Sequence, residues 1–191
     1  MKTLVIYAHP SHAGHHGYFL ALCEQYFKEN NLDFETLDLY QDSYDPRLRA
    51  EELNAKDRQS QGEVKMYQEK IIAADKLVFI YPTWWQGTPA ILKGFFDRVL
   101  SSQFGFRYRR GIPTGLLKGK QAAVFSASGA PRWYNFLILR DRALRTVTHD
   151  TLRFCGIKCK GFSIGSARKL SNRAKTRIAS RQRQAMRYLY R

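Results

Sequence analysis

Three short segments concentrate the residue types that do chemistry. His9–Tyr18 (HPSHAGHHGY) joins four imidazoles to two glycines, Pro82–Gly87 (PTWWQG) sets two indoles side by side, and Ser126–Tyr134 (SASGAPRWY) combines hydroxyls, a glycine and two aromatic rings. A glycine-bearing loop that opens a helix leaves backbone N–H groups able to cradle a phosphate. Adjacent tryptophans on a turn present flat apolar surface with one polar handle each, which marks something flat and apolar that they face. The first segment matches neither G-x-G-x-x-G nor the P-loop, and Gly115–Lys120 (GLLKGK) also lacks P-loop spacing, so kinase and dinucleotide-fingerprint readings lose ground. His9, His12, His15 and His16 are of a type that suits Zn or Cu, but no carboxylate or cysteine adjoins them and the regular ligand spacings are missing, so no metal is expected.

These segments need elements to position them, and the hydrophobic pattern supplies alternating ones. Lys2–Ala8, Phe34–Leu39, Leu77–Tyr81, Gln121–Ser126 and Lys160–Ile164 read as strands. Tyr18–Asn30, Glu63–Ala74, Pro89–Leu100, one long stretch Tyr134–Phe154, and Asn172–Tyr190 read as helices. Strands alternating with helices predict a doubly wound parallel sheet with helices on both faces and right-handed crossovers. The ligand site then lies beyond the carboxyl ends of the strands, where all three segments fall. Asp97 and Arg98 read as a helix-surface ion pair or a dimer contact.

A chain of 191 residues, 44% of them hydrophobic, builds about one domain, taken as 1–191. Three cysteines without framework spacing fit free thiols in a reducing compartment. The start MKTLVIYAH carries too short an apolar run for a secretory signal, and no stretch approaches a membrane span, so a cytoplasmic protein is expected. Charge is uneven: residues 1–100 hold 11 Lys/Arg against 14 Asp/Glu, residues 101–191 hold 21 against 2. The basic half suits polyanions. Ile178, Ala185 and Tyr188/Leu189 nevertheless recur at helical spacing among its arginines and no nucleic-acid motif accompanies them, which favours an amphipathic helix docked on the sheet over nucleic-acid binding.

YAHPS, YPTWWQGTPAILKGFFDRVL, FGFRY, GLLKGK, ASG followed by WY, and FCGIK together resemble the flavodoxin-like NAD(P)H:quinone oxidoreductases over nearly the whole chain. The resemblance implies a flavodoxin-like α/β fold with five parallel strands in the order 2-1-3-4-5. It also implies a homodimer with a flavin, FMN or FAD, at its interface, reduced by NAD(P)H and reoxidised by a quinone-like acceptor; FMN is favoured because the loops that would clasp an adenine are short here. On it, His9, His15, His16, Gly17 and Tyr18 match the segment for the flavin phosphate and ribityl chain. Pro82, Thr83, Trp84, Trp85 and Gln86 match the segment that meets the ring, and Ser126, Ala127, Ser128 and Gly129 a second turn against it. Tyr134 matches a tyrosine beside the nicotinamide or quinone and is the candidate proton donor. A histidine expected six residues later is Arg140 here, and Arg132 and Arg140 are candidates to pair with NADPH phosphates. Phe106 and Tyr108 match aromatics that cover the neighbouring subunit's substrate. Other readings are a flavin-bearing regulatory subunit of a membrane efflux system, docked peripherally through the basic half, and a cofactor-free nucleic-acid binder.

Overall fold

A computed structural model describes residues 1–54 and 62–191. In chain order its strands are β1 (Lys2–Tyr7), β2 (Asp33–Asp38), β3 (Lys76–Pro82), β4 (Phe106–Arg109), β5 (Ile112–Gly115), β6 (Gln121–Ala127) and β7 (Lys158–Ile164). The helices are α1 (His15–Glu29), α2 (Ala50–Asn54), α3 (Gly62–Ala73), α4 (Ala90–Val99), α5 (Arg142–Arg145) and α6 (Asn172–Leu189), with π-helical turns at Tyr134–Ile138 and Thr146–Arg153.

Five strands form one parallel sheet in the order β2-β1-β3-β6-β7, which is the expected 2-1-3-4-5 order once the two hairpin strands are set aside. β1, β3 and β6 are buried almost throughout, because helices cover both faces and an unbroken apolar run is then needed. Alternate side chains serve opposite layers. Leu4, Ile6, Leu77, Phe79, Ala122 and Val124 pack with α3, α4 and the segment before β7. Val5, Tyr7, Val78, Ile80, Ala123 and Phe125 pack with α1 and α6. α6 buries Ala174, Ile178, Ala185, Met186 and Leu189, so its apolar stripe is spent on the sheet, as the docked-helix reading expects, and its arginines are left outside.

Three expectations change. The long helix over Tyr134–Phe154 is broken: Arg140 and Asp141 adopt left-handed backbone (φ 51° and 49°), and only Arg142–Arg145 is α-helical. The cause is local. Asp141 donates its N–H to the Asn135 carbonyl at 2.7 Å and its carboxylate takes two bonds from Arg132, which close the chain on itself and offset the cost of two non-glycine residues at positive φ. Second, Phe106–Gly115 is an antiparallel hairpin forming its own two-stranded sheet, turned by Arg110 and Gly111 at φ 51° and 79°, the signs that a two-residue I′ turn requires.

Third, Arg98 is no surface residue. It is 5% exposed, its guanidinium bonds Glu52 at 2.7 Å and Glu63 at 3.2 Å and also the Asp45 carbonyl, while Asp97 pairs with Lys93 at 2.6 Å. The Glu52 bonds push the Arg98 pKa up. Arg98 therefore ties α4 to α2 and α3, and its pairing offsets the desolvation cost of burying its charge.

Candidate functional site

The loops after β1, β3 and β6 meet at the carboxyl edge of the sheet. After β1, Tyr7 donates its hydroxyl to the Ser11 carbonyl at 2.8 Å and His9 Nδ1 lies 3.0 Å from the Ser11 N–H and 2.7 Å from its carbonyl oxygen. The loop then curls over the first turn of α1: a Cβ on Gly17 would stand 1.7 Å from the His12 carbonyl oxygen, so only glycine fits. α1 begins after Gly14 (φ 93°) with no side-chain cap and no acidic residue in its first turn, which leaves its positive end unneutralised.

Two buried imidazoles stand at that end. His15 and His16 are each 6% exposed and neither Nε2 has a hydrogen-bond partner among the described residues. Burial, reinforced by His9 and His15, lowers the His16 pKa to about 3, against a contact with the Tyr81 backbone that raises it. Burial and then the Arg177 charge lower that of His15. Both rings are therefore neutral near pH 7. The His9 ring stacks on His16 with centroids 4.9 Å apart. His12 is drawn away: its Nε2 lies 2.5 Å from Asp38 Oδ2, a carboxylate 26 residues distant in the chain that inspection of the loop alone does not find. Tyr18 also leaves the cluster, since its N–H bonds the Gly14 carbonyl at 3.0 Å and Lys175 of α6 lies over its ring.

After β3, Thr83 locks onto the neighbouring strand through Ser126 Oγ at 2.6 Å and the Ala127 carbonyl at 2.9 Å. Trp84 and Gly87 then exchange N–H···O bonds of 3.1 and 2.8 Å, with Trp85 and Gln86 between them at φ 49° and 56°. This is the backbone of a I′ turn, which glycine and asparagine normally supply, so each residue carries strain on the order of 1–3 kcal/mol. The turn holds both indoles out: Trp84 is 44% exposed, Trp85 fully exposed, and Trp84 is 6.1 Å from the His9 ring.

After β6, Ser126 and Ala127 are buried, Ser128 donates its N–H to the Ile164 carbonyl at 3.1 Å and receives Asn135 Nδ2 on its hydroxyl at 2.6 Å. A Cβ on Gly129 would meet nothing within 4 Å, so the backbone there lies open. The Arg132–Asp141 pair closes the following segment, which displays Trp133, Tyr134, Phe136, Leu137 and Ile138, all at least 38% exposed. The Tyr134 hydroxyl has no partner among the described residues. Arg132 is held by Asp141 at 2.8 and 2.9 Å, whereas Arg140 stays exposed. Asn135 and Asp141, unremarked in the sequence, organise the loop; no motif announces them.

Phe106 and Tyr108 stand apart. Phe106 packs on Phe154 with centroids 4.8 Å apart and on Tyr108 at 5.7 Å, and no ring contact or hydrogen bond among the described residues joins either to the three loops. In the loops after β3 and β6, the N–H groups of Thr83, Trp84, Gly87 and Ser128 are spent within the chain, whereas those of Trp85, Gln86 and Gly129 have no acceptor among the described residues. The pieces assembled at this edge are an uncapped helix end beside two neutral imidazole nitrogens without partners, and an exposed indole pair. The first fits the phosphate of a flavin mononucleotide and the second its ring.

A family model, Flavodoxin_2, described as a flavodoxin-like fold, matches residues 1–189. An uncharacterized NAD(P)H oxidoreductase of Haemophilus influenzae is 34% identical over 86% of this chain and 83% of its own length. An FMN-dependent NADH:quinone oxidoreductase of Clostridium perfringens is 36% identical over 69% of this chain and 68% of its own. The solved NAD(P)H:quinone oxidoreductase of Methanothermobacter marburgensis superposes with a TM-score of 0.86 at 27% identity, covering 100% of this chain and 98% of that one.

Proposed function

The chain belongs to this flavodoxin-like family, and from that membership we propose that it is an FMN-dependent NAD(P)H oxidoreductase that reduces quinones by two electrons, acting as a homodimer. The observation that carries the reading is the juxtaposition of two exposed indoles on a strained turn with an uncapped helix end bearing two buried imidazoles whose Nε2 atoms have no partner among the described residues.

Bound FMN supplies a ring that accepts hydride from the donor and passes two electrons to the acceptor. The α1 amides would hold the phosphate, with the neutral His15 ring able to donate a hydrogen bond to it and the neutral His16 ring, whose proton is used toward the Tyr81 backbone, packed beside it without adding charge. Trp84 and Trp85 would lie against the flavin and exclude water from it. The N–H groups of Trp85, Gln86 and Gly129 would be available to the negative charge that develops on reduction. Tyr134 donates a hydrogen bond or proton to the acceptor oxygen. The exposed Trp133–Ile138 segment and the hairpin carrying Tyr108 and Ile112 are apolar surface that a second copy covers, in keeping with a site completed across a two-fold axis.

The test is optical. The purified protein should be yellow, NAD(P)H should bleach it anaerobically, and a quinone should restore the colour. A protein that stays colourless after reconstitution with FMN overturns the assignment.

A further inference from the structure

A second recess opens beside the candidate site. Between the edge strand β7 and the segment before it lies a groove of about 350 Å³, lined by Phe136, Arg140, Leu144, Arg145, His149 and Arg153 among others. Arg145 at the end of α5 and His149 and Arg153 of the π-helical turn recur every four residues, so this segment brings two guanidinium groups and an imidazole to the groove; π-helical turns are rare and cluster at functional places. The one carboxylate on the wall, Asp141, is already paired with Arg132, so the groove keeps an uncompensated positive field.

The groove adjoins the loops of the candidate site. Asp141 and Leu144 line it, and both also line a small cavity of about 20 Å³ whose other walls include Thr83, Gln86, Ser126 and Ser128. Strand addition along β7 is hindered, because Arg153 donates to the outward Cys159 carbonyl at 3.2 Å and the Leu144 side chain occupies the space beside Gly161. A ligand with phosphate oxygens and an aromatic base matches better: guanidinium groups grip phosphate by paired N–H donors and stack on planar rings, and Phe136 offers a ring face of its own.

We propose that this groove holds the phosphate-bearing adenosine end of the electron donor and makes NADPH, with its additional 2′-phosphate, the preferred donor over NADH. The assignment rests on the oxidoreductase reading, because the donor is supplied by that reaction. Both donors share the pyrophosphate, so the groove discriminates only if an arginine reaches the 2′-phosphate.

Calorimetric titration of the FMN-loaded protein with 2′,5′-ADP and with 5′-ADP separates the two sources of phosphate. At low salt 2′,5′-ADP should bind at least tenfold more tightly, and Arg145→Ala should reduce the ratio of kcat/KM for NADPH to that for NADH by roughly ten- to a hundredfold, the range of a charge-assisted hydrogen bond. Arg187→Ala, on the exposed face of α6, should leave the ratio unchanged. Equal binding of the two probes, or an unmoved ratio in both Arg145→Ala and Arg145→Glu, overturns the proposal. Should an Arg145 variant fail to fold, the probe titration of the unaltered protein still decides. A chain that binds no flavin and oxidises neither donor would defeat the parent reading and the donor assignment with it, even where the two probes are distinguished; flavin loading and turnover without probe discrimination would overturn this proposal and leave the parent reading standing.

Discussion

Arg132 reaches across nine residues to hold both carboxylate oxygens of Asp141, at 2.8 and 2.9 Å, and that pair closes the loop presenting Trp133, Tyr134 and Phe136. Its value is geometric. A half-exposed pair contributes on the order of 1 kcal/mol or less to stability, yet Asp141 sits at positive φ and depends on its partners to stay there. Arg132→Ala should lower the melting temperature by only a few degrees while slowing quinone reduction at least tenfold and exposing the 130–141 loop to limited proteolysis. Unchanged turnover would show that the loop holds its shape without the pair.

Strain in the indole turn has an opposite signature for stability and for binding. Gln86→Gly removes a non-glycine residue from φ 56° and should raise the melting temperature of the flavin-free protein, by about 1 kcal/mol of stability. Replacing Trp84 and Trp85 together by Ala should abolish flavin retention on gel filtration. Full flavin content in the double variant would remove the indoles from the site.

Among the described residues nothing bonds the Tyr134 hydroxyl. Tyr134→Phe should leave flavin content unaltered and slow the acceptor half-reaction by roughly ten- to a thousandfold, the span of general acid catalysis; stopped-flow mixing of reduced protein with quinone measures it. An unaltered rate returns Tyr134 to packing.

Assembly is checked by light scattering at micromolar concentration, where the proposed homodimer should appear. Ile112→Glu, at a 68% exposed position of the hairpin, should shift it toward monomer and lower activity in step. A fully active monomer contradicts the two-fold site.

His16 sets a pH window. Its folded pKa, near 3, lies below its ordinary value of 6.5, so between those limits the unfolded chain takes up a proton that the folded chain refuses. Stability is complete above about pH 6.5 and falls as pH drops, by at most about 1.4 kcal/mol per pH unit for that proton; His15, shifted in the same direction, adds to it. Urea titrations between pH 7 and 5 should show a shallower decline for His16→Asn. Parallel curves would assign the acid sensitivity elsewhere.

The five-stranded sheet was legible because strands covered on both faces must be apolar throughout, as in LVFIY, and the three loops follow directly from where those strands end. Less accessible was anything made by contacts between distant residues. The helical periodicity over 134–154 is real, but it does not record that Asp141 is claimed by Arg132 and Asn135. Arg98, adjacent to an acidic residue on an amphipathic helix, looks like surface until Glu52 and Glu63 arrive from other elements to bury it. The hairpin left only a faint trace in Gly111, a residue that takes positive φ freely, following Arg110 between short β-forming runs. His12 was separated from its fellow histidines by a carboxylate on β2, which only the parallel register of β1 and β2 brings alongside.

The strand order turns a sequence asymmetry into a spatial one. β2, β1 and β3 come from the first 100 residues, with 11 Lys/Arg against 14 Asp/Glu, and β6 and β7 from the remainder, with 21 against 2, so the two lateral edges of the sheet differ in sign. The chain is consequently an electric dipole lying across its strands, and near a negatively charged surface it experiences a torque that turns the β7 edge inward before any contact forms. In a two-fold dimer the dipole components perpendicular to the axis cancel and those along it add, so dielectric relaxation of monomer and dimer would report how the axis is inclined to the sheet.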